Sequence, residues 1–256
     1  MKTRLRILLV CAGLVTGFAP SAVAQTTPSA PAAPMAEEDA EVDDYAIVQV
    51  SDPLEPMNRV IFKFNDGLYS YVFRPISKGY TKVVPSPART GIRNFFDNIK
   101  FPIRFVNSAL QGKFKRAGLE TGKFAVNTVA GIGGFIRISD DVPALAQIPR
   151  EDTGQTFGVW RIGKGPYLVL PVFGPGTARD TVGMVGDYFL NPLSWNLREN
   201  LEWYTWEVAT GVTVVSSVNT LPELLSTYDA LHKDAIDPYI AVRSAYVQYR
   251  EAAIKQ

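Results

Sequence analysis

Cysteine and histidine are almost absent from this chain of 256 residues, which has one of each, Cys11 and His232. That excludes a disulfide framework, a multi-cysteine metal site and a histidine-rich metal site. An excess of charge of one sign is missing as well, and a formal net charge of +1 argues against generic nucleic-acid binding. After residue 24 no apolar run approaches 18 residues, so a conventional membrane-spanning helix is excluded. HExxH, GxSxG and GxxxxGK[ST] do not occur, and with them go the commonest hydrolase and nucleotide signatures. What remains is a composition of 46% hydrophobic and 20% charged residues, suited to a folded body with a sizeable core. Twenty glycines and 18 prolines predict short, interrupted helices.

The first 24 residues read as an export signal. Lys2, Arg4 and Arg6 form a positive start, Ile7 to Val15 an apolar stretch, and Ala22-Val23-Ala24 a small-residue cleavage site. Cys11 lies inside it, behind Val10 rather than the small residue that lipid attachment needs, so lipidation at Cys11 is not expected. Residues 25–50 carry six acids, no base and much Ala and Pro, which reads as a disordered tether. Residues 51–256 form one domain with 23 basic and 19 acidic side chains. Within it, residues 74–123 hold eleven basic residues against Asp97 and Glu120 alone, either a solvated face or a surface for anionic groups.

Helix signals dominate the body, which is read as mainly α. Asp52-Pro53 with Glu55 predicts a helix start, followed by an apolar stripe of Ile61, Phe64, Leu68 and Tyr71, widened by Phe62 and Tyr69. Pro75 should end or kink that helix. Ile92, Phe95, Phe96 and Ile99 predict a second helix ending at Pro102, and Ile103 to Gln111 a third. Thr220 to Glu223 reads as a helix start, residues 199–218 as helix rather than strand, and Asp237-Pro238 opens a last helix with Tyr239, Val242, Tyr246, Tyr249 and Ala253 on one face. Tyr167 to Phe173, bracketed by prolines, reads as a hairpin arm. Gly131 to Gly134 reads as a turn or a close helix crossing.

Candidates for chemistry are few. His232 near a helix end has only the local Asp229 and Asp234 for company, a poor triad. Among the carboxylates Asp140, Asp141, Asp152, Asp180 and Asp187, Asp141 and Asp152 suit helix caps or pairs with Arg150 and Arg179. No cofactor or metal is demanded, and the chain is not read as an enzyme.

Several stretches carry a resemblance. They are SDPLEPMNR at 51–59 with FKFN at 62–65, NSALQG at 107–112, GQTFG at 154–158, GKGPYLVLP at 163–171 and GPGTARD at 174–180. FAVNT at 124–128, Gly131 to Gly134, and DPY at 237–239 with Arg243 and Tyr246 add to it. In this order they resemble the MlaA (VacJ-type) outer-membrane proteins over roughly residues 51–250. The resemblance implies a ring-like bundle of short amphipathic helices in the inner leaflet of an outer membrane, with a central amphipathic channel and a short hairpin-like loop. Through it phospholipid misplaced in the outer leaflet passes to a periplasmic carrier of the MlaC type, and the family associates with trimeric porins. Two features depart from the family. The site for lipid attachment is missing, so attachment would rest on the body and the porin, and Arg137 stands where an acid is common.

A lipid path needs donors for headgroups and apolar neighbours for tails. Arg93 and Arg104 in the basic segment are candidates for its polar wall. Gly163-Lys164-Gly165 is a candidate hinge for the proline-stiffened arm 166–175. Phe64-Asn65, an asparagine amid apolar neighbours, is a candidate for fixing the helix packing. Two other readings stand beside the channel: a soluble periplasmic protein enclosing a hydrophobic ligand, and a structural adaptor for porins.

Overall fold

The computed structural model describes residues 50–194, 205–233 and 235–256. The export signal, the tether up to residue 49, Cys11, Trp203 and Asp234 lie outside them. The described chain is mainly helical with one small antiparallel hairpin.

Helix α1 (Glu55–Leu68) passes through a π-turn (Tyr69–Phe73) into α2 (Arg74–Val83). One expectation is corrected here and another is met in its milder form. Asp52 does not cap α1, whose first residue is Glu55 and whose N-cap is Leu54. Its carboxylate instead accepts hydrogen bonds from Asn58 Nδ2 at 2.9 Å, Arg243 Nη1 at 3.2 Å and the Tyr239 hydroxyl. Three bonds, one from a guanidinium, outweigh a single cap. Pro75 distorts the helix, as the sequence allows, without ending it. It cannot donate to the carbonyl four residues back, and its ring crowds that carbonyl. The π-turn widens the coil there, with Arg74 N–H reaching back to Tyr69 O, and the helix runs on to Val83.

Helices α3 (Ser86–Ile99) and α4 (Phe101–Leu110) break at Lys100 because Pro102 falls in the first turn of α4, as the sequence predicts. Next come α5 (Phe114–Val129), a glycine turn, a 3-10 turn (Ile138–Asp141), short α6 (Pro143–Ala146) and α7 (Thr153–Val159). The hairpin pairs β1 (Tyr167–Leu170) with β2 (Gly174–Thr177), Tyr167 opposite Thr177 and Leu170 opposite Gly174. Helix α8 (Ala178–Leu190) follows at once, capped by Thr177. It crosses α7 so closely that a Cβ on Gly183 would lie 2.4 Å from the Gly154 nitrogen.

Helix α9 (Trp206–Lys233) is continuous, with Pro222 inside it, whereas a new start was expected at Thr220. The interior proline costs about 3 kcal/mol. Burial of Leu221 and Leu225 on either side of it offsets that cost. Helix α10 (Pro238–Lys255) begins as predicted, with Asp237 accepting from the Tyr239 and Ile240 nitrogens. Its inner face carries Tyr239, Val242, Tyr246, Arg250 and Ala253, while Tyr249 is exposed. The main apolar cluster is formed by Tyr167 and Val169 of the hairpin with Tyr239, Tyr246 and Val247 of α10.

Polarity is arranged in an unusual sense. Among the described residues thirteen hydrophobic side chains are buried, against twenty-one polar or charged ones. Twenty-six large hydrophobic side chains are exposed. The apolar stripe read on α1 shows the inversion: Phe64 and Tyr71 are 56% and 83% exposed, while Asn58, Asn65 and Tyr69 point inward. A soluble monomer rarely leaves apolar patches of this extent facing water. Among the described residues no helix is long and apolar enough to cross a membrane.

Most of the buried polar groups are paired, the Ser108 and Tyr167 hydroxyls being among the exceptions. Asp187 of α8 accepts from Thr153 N at 2.9 Å and Thr153 Oγ1 at 2.7 Å. Burial and the neighbouring Asp152 carboxylate push its carboxyl up to about 6. The folded chain therefore holds a proton that the unfolded chain has lost, so stability falls as pH rises from the ordinary carboxylate value near 4 to about 6. Asp187→Asn keeps an acceptor for Thr153 and removes that dependence. It should stabilise the protein by up to roughly 3 kcal/mol at pH 7 and lose this advantage below about pH 4, read from denaturation midpoints across pH.

Candidate functional site

The hairpin is held by side-chain amides that imitate a third strand. Asn58 Nδ2 donates to Tyr167 O at 3.0 Å, and Val169 N–H donates to Asn58 Oδ1 at 2.9 Å. Asn65 repeats the pattern further along, donating to Leu170 O at 2.9 Å and accepting from Val172 N–H at 2.8 Å. Seven helical residues advance about 10.5 Å, close to three strand residues at about 3.4 Å each. Two asparagines two turns apart on α1 therefore meet the free edge of β1 in register. Phe64 points outward from the same turn, so the candidate pair Phe64-Asn65 is split between the outer surface and the clamp.

The hairpin tip is strained where the clamp holds it. Val172, a β-branched residue, has φ 73°, and Gly174 has φ 84°. Tyr69 roofs the tip, for a Cβ on Gly174 would lie 3.4 Å from its hydroxyl. Burial raises that hydroxyl to about 12, so it is a neutral group at any physiological pH.

At the base the hairpin is tied to α8 by Ala178 N–H to Pro166 O at 3.1 Å and Arg179 N–H to Lys164 O at 3.2 Å. Gly165 has φ 66°, and a Cβ there would lie 2.9 Å from the Ala178 Cβ. Gly163 stands in open space. Between them Lys164 Nζ reaches Glu251 Oε1 of α10 at 2.9 Å, a pair exposed to solvent. This loop borders a cleft of about 210 Å3 lined by Arg161, Lys164, Thr177, Arg179, Arg250 and Glu251 among others.

Beneath the base lies an ionic junction of three helices. Arg250 of α10 bonds Asp152, the cap of α7, at 2.5 Å, and Asp180 in the first turn of α8 at 2.9 Å. Tyr246 OH donates to Asp180 at 2.7 Å, and Arg179 pairs with the same carboxylate. Burial acts to raise the Asp180 carboxyl, but Arg250, Tyr246 and Arg179 outweigh it and hold it below the usual range. Asp152 therefore caps a helix as expected, with Arg250 rather than Arg150 as its partner, and Arg150 turns to Asp97.

Four of the eleven basic residues in segment 74–123 pair with acids from elsewhere. Arg74 pairs with Asp229, Arg93 with Glu223 at 3.0 Å, and Lys113 and Arg116 with buried Glu151. Arg104 is enclosed, bonding Glu120 at 2.8 Å and the Asp97 carbonyl at 2.9 Å. Of the two arginines named for a polar wall, only Arg93 reaches the surface. Asp97 also takes Arg137 at 2.6 Å and Arg150 at 3.0 Å. Burial pushes its carboxyl up, yet Arg150, Arg104, Arg137 and Lys100 prevail and hold it at about 2.

His232 is not part of a triad. Its Nδ1 lies 2.9 Å from Tyr228 O, its ring stacks on Tyr228 at 3.7 Å, and Asp229 is engaged by Arg74. The sequence reading named Asn65 but missed Asn58, Glu151, Asp52 and Arg250 as anchors. Asparagine recurring at 58 and 65 inside an apolar stripe was the available signal.

Comparison with known proteins now bears on this geometry. A family model described as "MlaA lipoprotein" matches residues 50–253. The chain belongs to the MlaA family. Its relatives include the "Intermembrane phospholipid transport system lipoprotein MlaA" of Escherichia coli (strain K12), 37% identical over 77% of this chain and 76% of that protein. The protein of the same name from Haemophilus influenzae is 31% identical over 80% of each chain. A solved structure described as "Structural basis for maintenance of bacterial outer membrane lipid asymmetry" superimposes with a TM-score of 0.65 at 36% identity, over 80% of this chain and 99% of that one. In this MlaA-family chain the match takes in the asparagine clamp, the hairpin and the ionic junction alike.

The clamp gives a direct test. Asn65→Ala strips partners from Leu170 O and Val172 N, costing about 2 kcal/mol if both groups stay dry. It should also speed hydrogen exchange at the Val172 amide. Wild-type exchange at Val172 in the variant would show that the tip holds itself without α1.

Proposed function

We propose that this protein is the outer-membrane component of an intermembrane phospholipid transport system. In this reading it admits phospholipid misplaced in the outer leaflet to a central amphipathic channel. It passes the lipid to a soluble periplasmic carrier of the MlaC type, beside a trimeric porin, and so maintains lipid asymmetry. The transfer is physical and not chemical, and needs neither catalytic residue nor cofactor.

The observation that carries the reading is the inverted polarity. Exposed Met57, Val60, Phe64, Tyr71, Val72, Ile76 and Val83 run along α1 and α2, while amides and ion pairs fill the interior behind them. In hydrocarbon the outward side chains cost nothing, and the backbone of short helices stays satisfied internally. Membership of the MlaA family supports phospholipid as the cargo. Such a surface could seat the body on the periplasmic side of the outer membrane without an acyl chain.

The hairpin is the moving part in this account. Asn58 and Asn65 hold its outer edge from Tyr167 to Val172, Pro166 and Lys164 tie it to α8, and the loop before it turns at Gly163 beside the exposed Lys164–Glu251 pair. An exposed pair of this kind contributes under about 1 kcal/mol and yields easily. Arg93, at the surface, is the candidate for meeting headgroups, while Arg104 supports the wall from within.

Gly163 gives the cleaner hinge test, because a side chain there meets nothing, whereas one at Gly165 meets Ala178 at a positive φ. Gly163→Val should leave helicity and Tm at wild-type values while phospholipid accumulates in the outer leaflet of cells relying on this protein. Full retention of lipid asymmetry in that variant would remove the hinge from the mechanism. Loss of asymmetry only when porin association is lost would favour the adaptor reading.

A further inference from the structure

We propose that the turn joining α4 to α5 and the loop leaving α7 form an anchor that docks on a bilayer surface bearing anionic headgroups. The inference rests on the membrane-seated reading above and assigns to that seat a place and a lipid charge.

These two segments carry four exposed apolar side chains: Leu110 at the end of α4, Phe114 at the start of α5, and Trp160 and Ile162 beyond α7. Each is between 48% and 72% exposed. Trp160 Nε1–H donates to Leu110 O at 3.1 Å, which brings the loop leaving α7 onto the end of α4. That bond pins the indole by its polar edge, with half of its surface still exposed. A fixed tryptophan with a polar edge and an apolar face matches the headgroup level of a membrane, and pre-fixing reduces the ordering cost of insertion.

The rim is basic. Lys113 and Arg116, on either side of Lys115 in sequence, turn inward onto Glu151. Lys115 and Arg161 are exposed, and their side chains form no hydrogen bond or ion pair among the described residues. Lys164 stands two residues beyond Ile162 and is half-exposed in its pair with Glu251. An apolar centre with a basic rim is complementary to acyl chains beneath anionic headgroups.

The backbone at Arg161 supplies an independent observation. Helix α7 ends in a Schellman turn, with Arg161 N–H bonded to Gly158 O at 2.9 Å and Ile162 N–H to Phe157 O at 2.9 Å. The left-handed position of that turn is usually glycine, yet here it is Arg161 at φ 63°. A strained conformation kept for an unpaired surface cation fits a binding role better than a folding one.

The test is flotation of the full mature chain with vesicles of phosphatidylcholine alone or mixed with phosphatidylglycerol. Wild type should prefer the anionic vesicles, and high salt should weaken the preference. Lys115→Glu with Arg161→Glu should reduce that preference about tenfold or more. Phe114→Ser with Trp160→Ser should weaken binding to both vesicle types. Arg161→Gly relieves the strain, so its Tm should equal or exceed that of wild type while binding to anionic vesicles falls, a divergence that a purely structural residue does not give. Variants that float like wild type would overturn the anchor while leaving the membrane seat intact. A wild type that floats with neither vesicle overturns both. Loss of a co-purifying porin with unchanged flotation would reassign the patch to a protein partner.

Discussion

A polar group withdrawn from water must be paired, and leaving one bare costs about 1–3 kcal/mol. This condition bears on the present fold more heavily than on most, because its interior is filled with amides, hydroxyls and ions. The answer is specific at each place. Asn58 and Asn65 complete the edge of a hairpin, Asp52 gathers Asn58, Arg243 and Tyr239, and Glu151 neutralises Lys113 and Arg116. Arg250 with Asp152 and Asp180 locks three helices at one point. Directional bonds of this kind fix relative positions where an apolar core would allow sliding. A hairpin gripped along one edge by two amides depends on such a frame.

The outer surface follows from the same condition. With most polar groups satisfied inside, the helices can present Phe64, Tyr71 and their neighbours outward at no cost, provided that the surroundings are not water. Among the described residues no helix is long and apolar enough to cross a bilayer, but amphipathic helices can lie in one leaflet with their backbone bonds intact. The π-turn at residues 69–73 serves this arrangement, carrying the α1 stripe past Pro75 without exposing a break in the helix. Transport of an amphipathic cargo fits such a body, which offers apolar and polar surfaces within one helix of each other.

Much of the architecture was legible in the sequence. The breaks at Pro102 and Asp237-Pro238, the hairpin in residues 167–177 and the helical character of residues 206–218 follow from local chemistry. Orientation was not. The spacing of Ile61, Phe64, Leu68 and Tyr71 reveals that α1 has an apolar face, but periodicity does not say which solvent that face meets. Phe64 and Tyr71 turned outward because Asn58 and Asn65 had edge-strand partners within, more than a hundred residues away in sequence. Non-local pairing was equally hidden, since Arg74, Arg93, Lys113 and Arg116 meet Asp229, Glu223 and Glu151 from outside the segment. At Pro75 and Pro222 the breaking tendency was real but was overcome, by a widened turn in one case and by flanking buried leucines in the other.

The central claim is that this body sits in lipid and carries lipid. Its most direct measurement is mass spectrometry of lipids extracted from the intact protein, purified from the outer-membrane fraction of cells that express it. The account predicts that the protein partitions with the outer membrane and retains phospholipid in stoichiometric amounts. Recovery as a lipid-free protein in the soluble periplasmic fraction would contradict it.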